Sequence, residues 1–149
     1  MKLTLQQITC GEDEVIVKYL EKTSEIERIV NLLRAGDRRL TGWQDKVQTV
    51  LALQDILYFE SVDNRTFAYT GSSVYRVDYT LAELEILFAD NGFFRCSKSM
   101  ILQINQIKSL QSLSGNRIDA QMENGEHVII SRAYAVGFRR KLKGGDADE

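Results

Sequence analysis

The stretch from Phe93 to Ile107 has residue types suited to contact with a phosphate or a base edge. Two aromatics, Phe93 and Phe94, precede Arg95-Cys96-Ser97-Lys98-Ser99. An apolar run follows, with Ile101, Leu102, Ile104 and Ile107 interrupted by amides. The apolar residues call for burial. The short polar residues before them cannot all be buried, so they belong on a turn or strand end that faces water or a ligand. A basic, hydroxyl-rich turn between aromatic anchors suits hydrogen bonding to an anionic backbone and to base edges. The same composition also fits an ordinary solvated turn.

Arg132 is the second candidate. Ser131 is placed to cap a final helix over 132–142, which puts Arg132 in its first turn beside unpaired backbone N–H groups. That end of a helix favours an anion. An Arg there reaches a phosphate, or guanine O6 and N7 in bidentate fashion; the bland alternative is a solvated Arg. Arg139, Arg140, Lys141 and Lys143 are most simply favourable charges at the helix C-terminus, with phosphate contact as a secondary reading.

Other chemistries lack residues. His127 is the single histidine, set beside Val128 and Ile129 as on a strand, with no Ser or Cys near it in a nucleophile context. Two cysteines and one histidine at no ligand spacing do not make a zinc site, and no phosphate-cradling G-x-x-x-x-G-K-[ST] occurs. Glu83 and Glu85 read as a solvated helix face. The expectation is no enzyme, no metal and no cofactor. Cys10 and Cys96 are expected as reduced thiols, with Cys96 a small hydrophobe beside Phe94.

Charge is unevenly placed. The 149 residues carry a formal net charge of −2, yet residues 92–143 hold nine Lys/Arg against three acids. A basic C-terminal part on an acidic body suits an anionic partner. The length argues for one domain with a small appendage, and 44% hydrophobic residues suffice for a core. The first residues lack the apolar stretch of a signal peptide, so a cytoplasmic setting is expected.

The elements follow from periodicity. Leu3, Leu5 and Ile8, then Val15, Val17 and Tyr19, alternate as two strands joined by a turn at Gly11–Glu14. Ser24 and Glu27 form a capping-box pattern ahead of a helix with Ile26, Ile29, Val30 and Leu33 on one stripe, ended at Gly36. Residues 1–40 thus read as a β-β-α extension, for dimerisation or partner control. From Leu40 the period is two. Strands are predicted at 47–53, 56–61, 66–69 and 74–79, with a turn at Val62–Arg65. The run Ile56–Phe59 is apolar throughout, so both its faces should be covered. Thr80 and Glu83 predict a second capped helix, ended at Gly92. Strands at 107–113, 117–122 and 127–130 follow, the last two joined through Asn124-Gly125. The class is mainly β, with small antiparallel sheets and short helices, and 144–149 is a frayed acidic tail.

In this order the residues resemble the LytTR family of bacterial DNA-binding domains. The matching pieces are Asp55-Ile56-Leu57-Tyr58-Phe59-Glu60-Ser61, Asp63-Asn64-Arg65, Tyr79-Thr80-Leu81-Ala82-Glu83-Leu84-Glu85, Phe94-Arg95-Cys96-Ser97-Lys98-Ser99, Asn105-Gln106-Ile107, Asn124-Gly125-Glu126 and Ser131-Arg132-Ala133-Tyr134. The resemblance covers residues 43–143. It implies an elongated fold of small antiparallel sheets at 41–143, with loops rather than a recognition helix entering successive major grooves of bent DNA. The contacts it implies come from Asn64 or Arg65, from Ser97, Lys98 and Ser99, and from Arg132. The family often has His-Arg or His-Asn where this chain has Ser97-Lys98, and Asn where it has Gln103. Lys lacks the guanidinium fork, which loosens base readout at that position. The resemblance further implies a response-regulator-like transcriptional regulator of the stand-alone type, its receiver domain replaced by the small extension. It would act as a homodimer on double-stranded promoter DNA with repeated half-sites, and a regulatory membrane protein partner would hold it inactive. The alternative is a protein–protein module that titrates a partner regulator.

Overall fold

The structure, a computed structural model, describes residues 1–143, with the side chains at 31, 32 and 34–37 outside the description. The acidic tail expected at 144–149 lies outside the described residues. Seven strands, β1 (Arg39–Gln44), β2 (Val47–Ala52), β3 (Ile56–Val62), β4 (Arg65–Thr70), β5 (Val74–Val77), β6 (Phe93–Arg95) and β7 (Met100–Gln103), form an antiparallel sheet. Their order is β2-β1-β5-β4-β3-β7-β6. A second sheet, in the order β10-β9-β8, comprises β8 (Ile107–Ser112), β9 (Ile118–Met122) and β10 (His127–Ile130). Helices α1 (Ser24–Asp37), α2 (Leu81–Leu87) and α3 (Arg132–Leu142) complete the chain. Mostly β with short helices is the class the sequence predicts. Among the described residues, no helix is long and apolar enough to cross a membrane.

Strand β3 divides two cores, which explains its unbroken apolar run. Ile56 and Phe59 join Leu53, Leu84, Phe93 and Ile101 under α2. Leu57 and Tyr58 join Leu102, Met122, Ile130 and Phe138, between the large sheet, the small sheet and α3. The β3–β4 register slips between Ile56 and Tyr58. Such a bulge lets two successive residues serve the same core. On β9 the alternation is strict: Ile118, Ala120 and Met122 are buried. Helix α3 lays Ala135 and Phe138 on that second core, both without exposed surface.

The N-terminal part differs from expectation. Residues 1–20 contain no strand. Neither segment lies against a sheet edge, and an isolated two-stranded hairpin is marginal in water. Leu3, Leu5, Val15, Ile16 and Tyr19 are exposed. The cap of α1 is Thr23, whose Oγ1 accepts from Ile26 N at 3.3 Å, one residue before the predicted Ser24. The helix runs past Gly36 to Asp37. Its stripe is buried at Ile26 and ends exposed at Leu33. Arg38 fixes the helix exit to the body: its guanidinium lies 4.8 Å from the Phe88 ring centre and donates to Leu87 O and Asn91 Oδ1.

Two turns hold the frame of the second half. Thr80 Oγ1 accepts from Glu83 N at 3.1 Å while the Glu83 carboxylate accepts from Thr80 N at 2.8 Å, so the predicted capping box is present. Gly92 has φ +88, and a Cβ there would fall 2.4 Å from Gln103 Oε1 and 2.5 Å from Asn105 Nδ2. Only glycine fits both the left-handed backbone and this contact. Gln103, 1% exposed, in turn donates to Leu53 O. These contacts set where β6 begins, and so where the basic turn after it is held.

Candidate nucleic-acid interface

The turn Cys96–Ser99 joins β6 to β7. Met100 O accepts from both Cys96 N at 3.0 Å and Ser97 N at 3.4 Å, which closes it tightly. Arg95 braces it from inside. Its Nε donates to Ser97 O at 2.7 Å and an Nη to Lys98 O at 2.6 Å. The other Nη pairs with Glu85 Oε1 at 2.5 Å. Arg95 is thereby taken up holding the turn, and Glu85 is its counter-ion rather than a merely solvated acid. The sequence reading missed this pair, because residues ten apart on separate elements show no periodic relation. Lys98 and Ser99 are left exposed and Ser97 half-buried. Ser97 Oγ accepts from Ser99 N at 3.3 Å, leaving its own hydroxyl proton free to donate.

Two backbone hydrogen bonds seat neighbours on either side of this turn. Ser61 N donates to Ser99 O at 2.8 Å, and Ser131 N donates to Cys96 O at 2.8 Å. The first brings the end of β3 alongside. The β3–β4 tip, Asp63-Asn64, lies two residues beyond Ser61, about 7 Å at strand rise. Asp63 and Asn64 both have positive φ, 52° and 63°, and both are exposed with Arg65. Asp and Asn tolerate this backbone, which makes the tight turn possible. The second bond brings the start of α3 against Cys96, with Arg132 next in the chain and exposed.

All six predicted contact residues, Asn64, Arg65, Ser97, Lys98, Ser99 and Arg132, therefore belong to three segments joined side by side. The hydroxyl of Ser131 makes no cap hydrogen bond, contrary to its expected role, and α3 has no acid in its first turn. Tyr134 N donates to Ser131 O at 3.0 Å, which leaves the N–H groups of Arg132 and Ala133 available to an anion at that end. Arg139 Nη2 donates to Ser112 Oγ at 3.4 Å, a contact within the molecule at the far end of α3. Arg140, Lys141 and Lys143 are exposed there.

The surroundings of the turn are cross-linked by side chains. Tyr58 and Tyr69 stack with ring centres 4.4 Å apart. Tyr69 OH donates to Glu60 at 2.9 Å and Tyr58 OH to Glu126 at 3.3 Å, so the large sheet is tied to the β9–β10 hairpin. Burial first, then the neighbouring carboxylates, push both phenols up, Tyr69 to about 12. Cys96 has no exposed surface, and burial pushes its thiol up to about 12. It is a packing residue with a free thiol, and the exposed Cys10 is also free. His127 Nδ1 lies 3.0 Å from the Asp119 carboxylate on an exposed strand face.

Residues 46–143 match the LytTr DNA-binding domain family. The chain is 23% identical over 129 residues to the sensory transduction protein LytT of Bacillus subtilis, covering 87% of this chain and 54% of that protein. It is 27% identical over 136 residues to LytT of Enterococcus faecalis, covering 88% and 56%. It is 26% identical over 123 residues to the transcriptional regulatory protein YpdB of Escherichia coli, covering 82% and 50%. The chain thus spans about half the length of the curated relatives it matches. Among solved structures, the LytTr DNA-binding domain of a Bacillus cereus response regulator superposes with a TM-score of 0.66 and 29% identity, covering 71% of this chain and 96% of that one. Both by its matched residues and by its fold, the chain belongs to the LytTr DNA-binding domain family.

Proposed function

We propose that this protein is a transcription regulator that binds specific double-stranded DNA through turns rather than through a recognition helix. The observation that carries the reading is the pair of backbone hydrogen bonds, Ser61 N to Ser99 O and Ser131 N to Cys96 O, which line up three polar segments. Asn64 and Arg65 project from the hairpin tip, Lys98 and the two serines from the braced turn, and Arg132 from the start of α3. Lys98 supplies a point charge for phosphate, and Arg132 a fork for guanine or phosphate. The N–H groups of Arg132 and Ala133, at the start of α3, favour a phosphate there. Helix α2 is a poor groove reader, because Glu83 and Glu85 on it would meet phosphate charge. Turns held on a sheet can enter successive major grooves, and two copies of the chain would read repeated half-sites.

The test is binding to promoter fragments by fluorescence anisotropy across a salt series. Arg132→Ala should cost about 1–3 kcal/mol on the specific site and less on random DNA. Lys98→Ala should weaken binding to both and reduce the salt slope by about one. Salt-independent binding, or wild-type affinity in both variants, would exclude the reading. It would instead favour the protein-titrating module.

A further inference from the structure

Residues 13–20 have a property that the DNA-binding reading does not use. The run Glu14-Val15-Ile16-Val17-Lys18 is a palindrome in shape and an anti-palindrome in charge, centred on Ile16. Val15 mirrors Val17, and the acid Glu14 mirrors the base Lys18. Antiparallel pairing of two identical strands about Ile16 sets each Glu14 directly opposite a Lys18 and each Val15 opposite a Val17. An isologous two-fold contact requires this self-complementarity, and directly opposed pairs of unlike charge stabilise it.

The chain leaves this run unpartnered. Among the described residues, none of the backbone hydrogen bonds outside helices and strands starts or ends in residues 1–20. Val15 is 70% exposed, Ile16 66% and Tyr19 52%. Met1 and Thr4 line one open cleft together with Lys18 and Leu20, so the first residues return to the end of the 13–20 arm, and Gly11 between them has φ +98. The backbone of residues 14–17 thus has no hydrogen-bonded neighbour in its own chain.

We propose that residues 13–19 pair antiparallel with the same residues of a second copy, in the register Ile16 to Ile16. The contact pairs backbone that each single chain leaves unpaired and covers apolar residues that each leaves in solvent. It turns the expected homodimer into a specific contact. The association itself does not require DNA.

The experiment is sedimentation of the full chain without DNA. Wild type should dimerise. Glu14→Lys alone and Lys18→Glu alone each place two like-charge pairs across the axis, and each should weaken the dimer on the order of tenfold or more. The double exchange Glu14→Lys with Lys18→Glu should restore it, and an equimolar mixture of the two single variants should form heterodimers. In a Cys10→Ser background, Ile16→Cys should form an intermolecular disulfide on oxidation, whereas Glu14→Cys alone should not. A wild-type monomer at all concentrations, or a dimer indifferent to both single changes, would overturn the proposal. Circular dichroism of each variant reports whether the body stays folded. Promoter binding by the same samples separates the two readings: a dimer without DNA binding contradicts the regulator, and DNA binding by a monomer contradicts only the arm contact.

Discussion

Two four-residue runs in this chain have nearly the same composition and opposite fates. His127-Val128-Ile129-Ile130 pairs along its length with β9 and buries Val128 and Ile130 beneath Phe138. Glu14-Val15-Ile16-Val17 pairs with nothing and leaves Val15 and Ile16 in solvent. The difference is the neighbour. Strand β10 follows a tight Asn124-Gly125 turn that delivers it to β9, and α3 then closes over its apolar side. The N-terminal run has no strand paired with it. Alternation thus records a demand for burial, and the rest of the chain, or a second chain, decides whether the demand is met.

The largest effect should come from the satisfied side. Phe138→Ala empties a fully buried site between α3 and the small sheet, and should cost about 3–5 kcal/mol in chemical denaturation. It should also loosen the seat of Ser131 on Cys96, so DNA affinity falls with stability. Leu3→Ala in the exposed arm should change stability by less than about 0.5 kcal/mol. Equal costs would mean that the arm shares the core and the contrast is false.

A middle effect falls on the brace of the turn. Arg95→Ala removes two donations to backbone carbonyls and the pairing with Glu85. With Glu85 well exposed, about 1–2 kcal/mol is expected. Faster amide exchange at Ser97 and Ser99 should accompany it. Lys98→Ala, on the same turn but exposed, should leave stability and exchange unchanged while weakening DNA binding. If both variants lose DNA affinity without any change in exchange, Arg95 touches DNA and is no brace.

The smallest effect is pH dependence. Cys96 and Tyr69, with ordinary values of 9.0 and 10.0, are both pushed up to about 12 in the folded chain, and Tyr58 is pushed up as well. Burial favours their neutral forms, so their contribution is complete below the ordinary values. It is lost as pH rises from about 9 toward 12. The thermal midpoint should therefore be flat from pH 7 to 9 and fall above it. Serine at position 96 should remove the earliest part of the fall.

Much of the second half was legible. Capping-box residues, the Asn124-Gly125 turn and the apolar run of β3 each act locally, so their signals survive in sequence. Strand β1 was not found, because Gly42 and polar neighbours blur its alternation; that glycine is needed where a Cβ would fall 2.7 Å from Tyr75 Cβ. The six contact candidates rest on resemblance and residue type. The Arg95–Glu85 brace leaves no local signal, since it depends on how α2 lies over β6. The N-terminal alternation forms no strand in the single chain, because no edge there receives it.

The central claim is that three segments meet one duplex together. The direct measurement is site-specific photo-crosslinking from positions 64, 98 and 132 to a bound promoter fragment, with the crosslinked nucleotides mapped. The account predicts crosslinks from all three, at ordered positions along one face of the same site. Crosslinks from only one position, or at unrelated positions on the DNA, would contradict it.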